Sequence, residues 1–236
     1  MKASSPLRIK MRMQELFLRY AQYTFKHFDE LERNADLFDD AKIMWFYAGE
    51  LFSDFYNDTR KRGFVSALIK SIENGGKMCA VFGPALYVDN KEFLALALSR
   101  PEIELYKRPF RDPSHFKLLQ RKDGKVSAII DKDHPVTTDK DSRCSVMLSQ
   151  GYEREIHFLI EKFKLLKEQS VKITLHNLFK EFEEPGVDED GELTGFIAKS
   201  ETLGARHASS KEIGCLKDYL VKRVPLKKLC LEELLP

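Results

Sequence analysis

Two residues, Asp123-Gly124, constrain this chain more than any other local feature. Glycine enters the left-handed backbone region without a steric penalty, and aspartate favours turns through its short polar side chain. The flanking stretches "HFKLLQ" and "KVSAIID" are rich in apolar residues. Such a turn between two apolar runs predicts a β-hairpin. Side chains alternate along a strand, so His115 and Lys117 project to one side, and Phe116 and Leu118 project to the other.

Upstream, short apolar runs alternate with helical patterns. "KIMWFYAG" (Lys42–Gly49) reads as a buried strand, and "FVSALIKSIEN" (Phe64–Asn74) as a helix ended by Gly75-Gly76. "KMCAVFG" is a second strand, Phe93–Ser99 a second helix stopped by Pro101, and "EIELYKRP" a third strand. Beyond the hairpin, Tyr152–Lys167 has a helical period. This alternation predicts an α/β domain over 38–168, with a mainly parallel mixed sheet flanked by helices.

Residues 1–37 precede that domain. Met13, Leu16, Phe17, Tyr20, Tyr23, Phe28 and Leu31 fall near helical spacing, interrupted by Thr24 and His27, and predict a long N-terminal helix packed on the core. Residues 169–236 form an α-rich C-terminal extension of mixed helix and loop. "SVKITLHNLFKEFEEPG" suits a short strand and a helix. The polar, Gly-rich stretch after it reads as loop or a weak hairpin at Asp190-Gly191. Lys211–Lys222 is helical, capped by Ser209 or Ser210.

The 39 basic and 37 acidic residues nearly cancel, so no global field draws a polyanion to the chain. Basic residues gather locally at Arg60–Arg62, Lys107–Arg111 and Lys222–Lys228. Tyr106 and Phe110 interleave the second group, a composition that suits gripping a nucleic-acid strand by charge and stacking. Cys79, Cys144, Cys215 and Cys230 include no CxxC pair, so neither a zinc ribbon nor a redox pair is supported, and no metal or cofactor is expected. Cys79 sits in an apolar run and reads as a buried, inert thiol. No apolar run approaches the ~18 residues of a membrane span. The charged start "MKASSPLRIKMRMQELF" lacks the apolar block of a secretory signal, and the expected location is the cytoplasm.

The chemistry concentrates at His115 and Lys117. Two potential cations on one strand face repel each other, and an anion between them removes the conflict. A phosphate accepts from both groups, and the lysine neutralises its charge. The imidazole can then attack phosphorus, with a second histidine protonating the leaving oxygen. Loops at the carboxyl ends of parallel strands form ligand crevices. Glu50 and Asp54, after the first strand, are therefore candidates to orient His115, and helix-start acids also serve as caps.

"HFKLLQRKDGKV" resembles the HKD motif of the phospholipase D superfamily: His-x-Lys, four residues, Asp, often followed by Gly. Here His115, Lys117, Asp123 and Gly124 supply it, with five residues between lysine and aspartate. The order of strands and helices over 38–168 looks like one half of a phospholipase D-like domain. Active members carry Gly-Ser-x-Asn after the hairpin, and this chain has Ile130, Asp131 and Asp133 at those positions. His134 and His176 lack a lysine two residues on, so only one such motif is present. The resemblance implies a homodimer that brings two copies of His115 together across a two-fold axis. It implies a metal-independent, nuclease-like phosphodiesterase working through phosphohistidine on nucleic acid or a related phosphodiester. His115 would be the nucleophile, Lys117 the phosphate ligand and Asp123 the motif's support. Glu50, Lys107, Arg108, Arg111 and Asp131 would contact substrate. The alternative is a catalytically inactive module of the same fold that binds a phosphorylated ligand, nucleic acid or a protein partner. A third possibility is an assembly protein that uses the fold only to dimerise.

Overall fold

The computed structural model describes residues 24–26, 38, 40–48, 68–110, 115–131, 144–189, 191–200 and 204–225. Its main sheet is built from β1 (Thr24–Lys26), β2 (Ala41–Tyr47), β3 (Lys77–Phe82), β5 (Ile103–Lys107), β6 (His115–Arg121), β7 (Val126–Asp131), β8 (Cys144–Leu148) and β9 (Val171–Ile173). These eight strands lie in the order β1-β8-β7-β6-β2-β3-β5-β9. The central pairings β2–β3 and β3–β5 are parallel. The mixed α/β class expected from the alternation is therefore present, with parallel pairing confined to the middle of the sheet. Around that block the pairings β2–β6, β6–β7, β7–β8, β8–β1 and β5–β9 are antiparallel. Tight connections such as the Asp123-Gly124 hairpin join antiparallel neighbours, whereas a parallel neighbour requires a long crossover.

Both parallel crossovers run over one face. Helical residues 68–73 connect β2 to β3, and α1 (Lys91–Ser99) connects β3 to β5. Leu68, Ile72, Phe93 and Leu94 are buried there with Met44, Phe46, Ala80, Leu105, Leu119 and Ile129. A shared face is what two crossovers of the same hand require when the strand order advances in one direction. The helix through 73 ends as its glycines predict, with the Gly75 amide donating to the Ile72 carbonyl at 3.1 Å.

The opposite face is covered by α2 (Glu153–Glu168). Its Ile156, Leu159, Phe163 and Leu166 recur at helical spacing and are buried against Tyr47, Val81, Phe116, Leu118, Ile130 and Leu148. Glu153 and Glu155 in the first turn and Lys167 in the last match the helix dipole. Lys167 and Lys172 both reach Glu104 of β5, at 2.9 and 2.8 Å. Their hydrogen bonds, that from Lys172 foremost, hold the Glu104 carboxyl down at about 2. A carboxylate lowered in the folded state stabilises above its unfolded value and loses that contribution as pH falls through the folded one. Thermal midpoints measured between pH 4.5 and 2 should therefore fall with pH, and Glu104→Gln should flatten that acid limb.

The hairpin forms where expected. The Arg121 amide donates to the Lys125 carbonyl at 2.9 Å, and the Gly124 amide donates to the Arg121 carbonyl at 3.0 Å. Gly124 adopts φ +86°, so the turn needs a residue that tolerates the left-handed region. β2 carries an irregularity opposite this end of β6, where the register shifts between Ala41 and Ile43.

At the N-terminus, Thr24–Lys26 form a strand paired to β8, which corrects the helix expected over 7–34 at these residues. Thr24, which breaks the apolar stripe, is β-branched and suited to a strand. The rest of that expected helix lies outside the described residues. The C-terminal region contributes more sheet than its composition suggests. Besides β9, it forms β10 (Gly186–Val187), β11 (Leu193–Ser200) and β12 (Gly204–His207), and β4 (Ala85–Tyr87) runs parallel to β11. The chain turns near the expected place, with the Gly191 amide donating to the Asp188 carbonyl at 3.0 Å; Asp190 itself lies outside the described residues. Gly195 has φ +78°, and a Cβ there would stand 2.9 Å from the Glu184 carbonyl oxygen, so the chain can cross at that point only without a side chain. Phe82 of β3 stacks on Phe182 at 6.1 Å, and Phe182 meets Phe196 of β11 at 5.5 Å. The two sheets therefore share one core. α3 (Leu178–Glu181) lies beside this aromatic column. α4 (Ser210–Arg223) opens with a capping box, in which Glu212 donates its amide to the Ser209 hydroxyl and accepts from the Ser209 amide.

Candidate functional site

β6 is an inner strand, flanked by β2 and β7, so both of its edges are hydrogen-bonded. Phe116 and Leu118 are fully buried under α2. His115 and Lys117 belong to the other face and are half-buried. Lys117 pairs with Phe46 on one side and Ile129 on the other, both buried, so its stem rises between two apolar neighbours. Long cationic side chains tolerate this placement by keeping the charged end near solvent. His115 is in register with Asp131, the last residue of β7.

The topology gathers these residues with two others. β6 runs against β2, so its first residues lie at the carboxyl ends of β2, β3 and β5. Lys107 closes β5, and Arg108 follows it. The two then diverge. Lys107 is on the His115 face, but its ammonium donates to the Glu181 carbonyl and lies 4.6 Å from the Phe182 ring centre. Burial holds its pKa below the ordinary lysine value. Three strand spacings separate β5 from β6, roughly 14 Å in all. Lys107 thus ties α3 to the sheet edge.

Arg108 is fully buried on the α2 face. Its amide donates to the Phe82 carbonyl at 2.9 Å, and its Nη2 donates to the Ala48 carbonyl at 3.1 Å, spanning the ends of β3 and β2. Its guanidinium stacks 4.2 Å from the Tyr47 ring centre. Lys162 of α2, also buried, lies 5.4 Å from the same ring and 5.6 Å from Phe116. Tyr47 and Phe116 are themselves 5.1 Å apart. Two buried cations and two rings thus lie beneath the strand segment that carries His115 and Lys117. Sequence reading missed Lys162, although a signal existed: it follows Leu159 by three residues and precedes Leu166 by four, which puts a lysine on the apolar stripe of α2.

Asp123 does not join the group. At about 3.3 Å per residue, the end of β6 at Arg121 is already roughly 13 Å beyond Lys117, and Asp123 lies past it in the exposed turn. Its carboxylate accepts from the Lys125 amide at 3.0 Å, a turn-closing bond. Glu50, Asp54, Arg111 and Asp133 lie outside the described residues. Cys79 is buried beside Glu104 and Lys167, and burial pushes its thiol up to about 11, so it stays protonated and unreactive. Among the described residues, no helix is long and apolar enough to cross a membrane.

No family model matches the sequence, and no curated protein does either. Among solved structures, the chain is similar to TrmBL2, an archaeal chromatin protein whose structure shows a novel mode of DNA binding. The identity is 11% and the TM-score 0.44, over 70% of this chain and 63% of that one. It is also similar to a polyphosphate kinase from Porphyromonas gingivalis, at 8% identity and TM-score 0.41, over 84% of this chain and 27% of that one. The chain thus spans less than two thirds of either protein.

Proposed function

We propose that the carboxyl edge of the central strands is a phosphate site of phospholipase D type, and that the protein is a dimeric phosphodiesterase acting on nucleic acid or a related phosphodiester. The observation that carries this reading is the shared face of His115 and Lys117 on an inner strand, at the edge where parallel strands end. Lys117 neutralises a non-bridging phosphate oxygen. His115 attacks phosphorus, a P–N bond forms as the P–O bond breaks, and the leaving oxygen takes a proton from His115 of the partner subunit. Water then cleaves the P–N bond and restores the imidazole. Asp123 supports the strand indirectly, through the turn that sets the β6–β7 register. Arg108 and Lys107 fix the neighbouring strand ends.

A second reading has its own support. Asp131 is in register with His115, at a position where active relatives carry a small donor. A carboxylate there disfavours a bound phosphodiester. This favours a binding module that retains the fold without turnover. Tungstate, a phosphate mimic, and bis-p-nitrophenyl phosphate separate the two. An enzyme hydrolyses the ester and is inhibited by tungstate. A binder is stabilised by tungstate and releases no nitrophenol. If tungstate neither inhibits nor stabilises, the phosphate site itself is refuted.

A further inference from the structure

A second cationic surface lies on the helical layer, where α1 meets α4. Lys91, the first residue of α1, and Arg223, the last of α4, converge on Tyr219 of α4. The Lys91 ammonium is 5.2 Å from the Tyr219 ring centre, and the Arg223 guanidinium is 3.8 Å from it. Both cations are exposed, as is neighbouring Lys222, while Tyr219 is half-buried. Two other exposed arginines are paired: Arg121 sits on Asp40 at 3.2 Å and Arg206 on Glu212 at 2.6 Å. Lys91 and Arg223 form no ion pair among the described residues.

The ring holds the two charges in place without consuming their hydrogen-bonding capacity. A guanidinium stacked flat on an aromatic keeps its N–H edges open, in the fork geometry that fits phosphate. Two like charges held on one ring repel, and that repulsion is relieved by an anion contacting both. We propose that Lys91, Tyr219 and Arg223, with Lys222 beside them, are a docking surface for the phosphate backbone of a nucleic-acid strand. A membrane fits less well, because insertion needs apolar side chains around the cations. On α4 the exposed large apolar residue is Val221, two positions from both Tyr219 and Arg223 and turned away from them along the helix. The surface is independent of the chemistry at His115.

The test is fluorescence anisotropy of a labelled oligothymidylate with the full chain, across a salt series. Each phosphate contact on a single strand contributes about 0.7 to the slope of log affinity against log salt. Lys91→Ala/Arg223→Ala should lower that slope by roughly 1.4 and weaken binding about tenfold or more at low salt. Lys91→Arg/Arg223→Lys should retain the slope, and Lys125→Ala, in the exposed β6–β7 turn, should leave it unchanged. These variants change exposed positions, and an unaltered circular-dichroism melt confirms folding. An unchanged slope in the double alanine variant overturns the proposal. So does undetectable binding by the wild type, or tighter binding to anionic lipid vesicles than to the oligonucleotide. A lowered salt slope in Lys91→Ala/Arg223→Ala with hydrolysis of bis-p-nitrophenyl phosphate unchanged separates this surface from the strand-edge site.

Discussion

His115→Asn should reduce hydrolysis of bis-p-nitrophenyl phosphate by at least about a thousandfold, as removal of a covalent nucleophile does. The fold should survive, because His115 is half-buried at a strand end and contributes to neither apolar cluster. Asparagine keeps a polar group of similar reach and cannot form a phosphoramidate that turns over. Lys117→Ala should also lose most activity, through charge on the phosphate. Residual activity in His115→Asn within a few-fold of the wild type would assign the chemistry elsewhere. Equal, low activity in both proteins, with tungstate binding intact in the wild type, would favour the binding module.

Phe116→Ala should have the largest effect on stability. Phe116 is fully buried between His115 and Lys117 in sequence, packs on Tyr47 at 5.1 Å and lies under the Lys162 ammonium. Removing a buried phenyl ring costs about 3–5 kcal/mol, through lost burial and the cavity left behind. Here two buried cations, Arg108 and Lys162, would also lose part of the aromatic surface that offsets their desolvation. Urea unfolding should show the midpoint falling at unchanged slope. Phe116→Leu should recover most of the loss. A midpoint unchanged in Phe116→Ala would contradict the packing described beneath β6.

These two residues show what was legible in the chain. The alternation His115-Phe116-Lys117-Leu118 was enough to sort the faces of β6, because strand periodicity is rigid and Asp123-Gly124 anchors the turn. Gly75 and Ser209 marked helix ends for equally local reasons, a left-handed backbone and a side-chain cap. What escaped depended on distant pairing. β12 is short and polar, and β11 is interrupted by Gly195; β11 becomes a strand through β4, more than a hundred residues earlier, and β12 through β11. Thr24–Lys26 needed β8 as a partner to choose strand over helix. In the site, Asp123 was grouped with His115 because they share a linear motif. A strand separates them, since extended backbone carries residues apart where a helix would return them. Lys162 was hidden in a helix whose apolar stripe was counted by its hydrophobic members alone.

The central claim is that His115 and Lys117 hold one anion between them. Imidazole resonances of the six histidines, with the His115 signal assigned by its loss in His115→Asn, can be followed during a tungstate titration. Saturable movement of the His115 signal alone, lost in Lys117→Ala, is the predicted result. A His115 signal that stays still at high tungstate, or moves equally without Lys117, would contradict it.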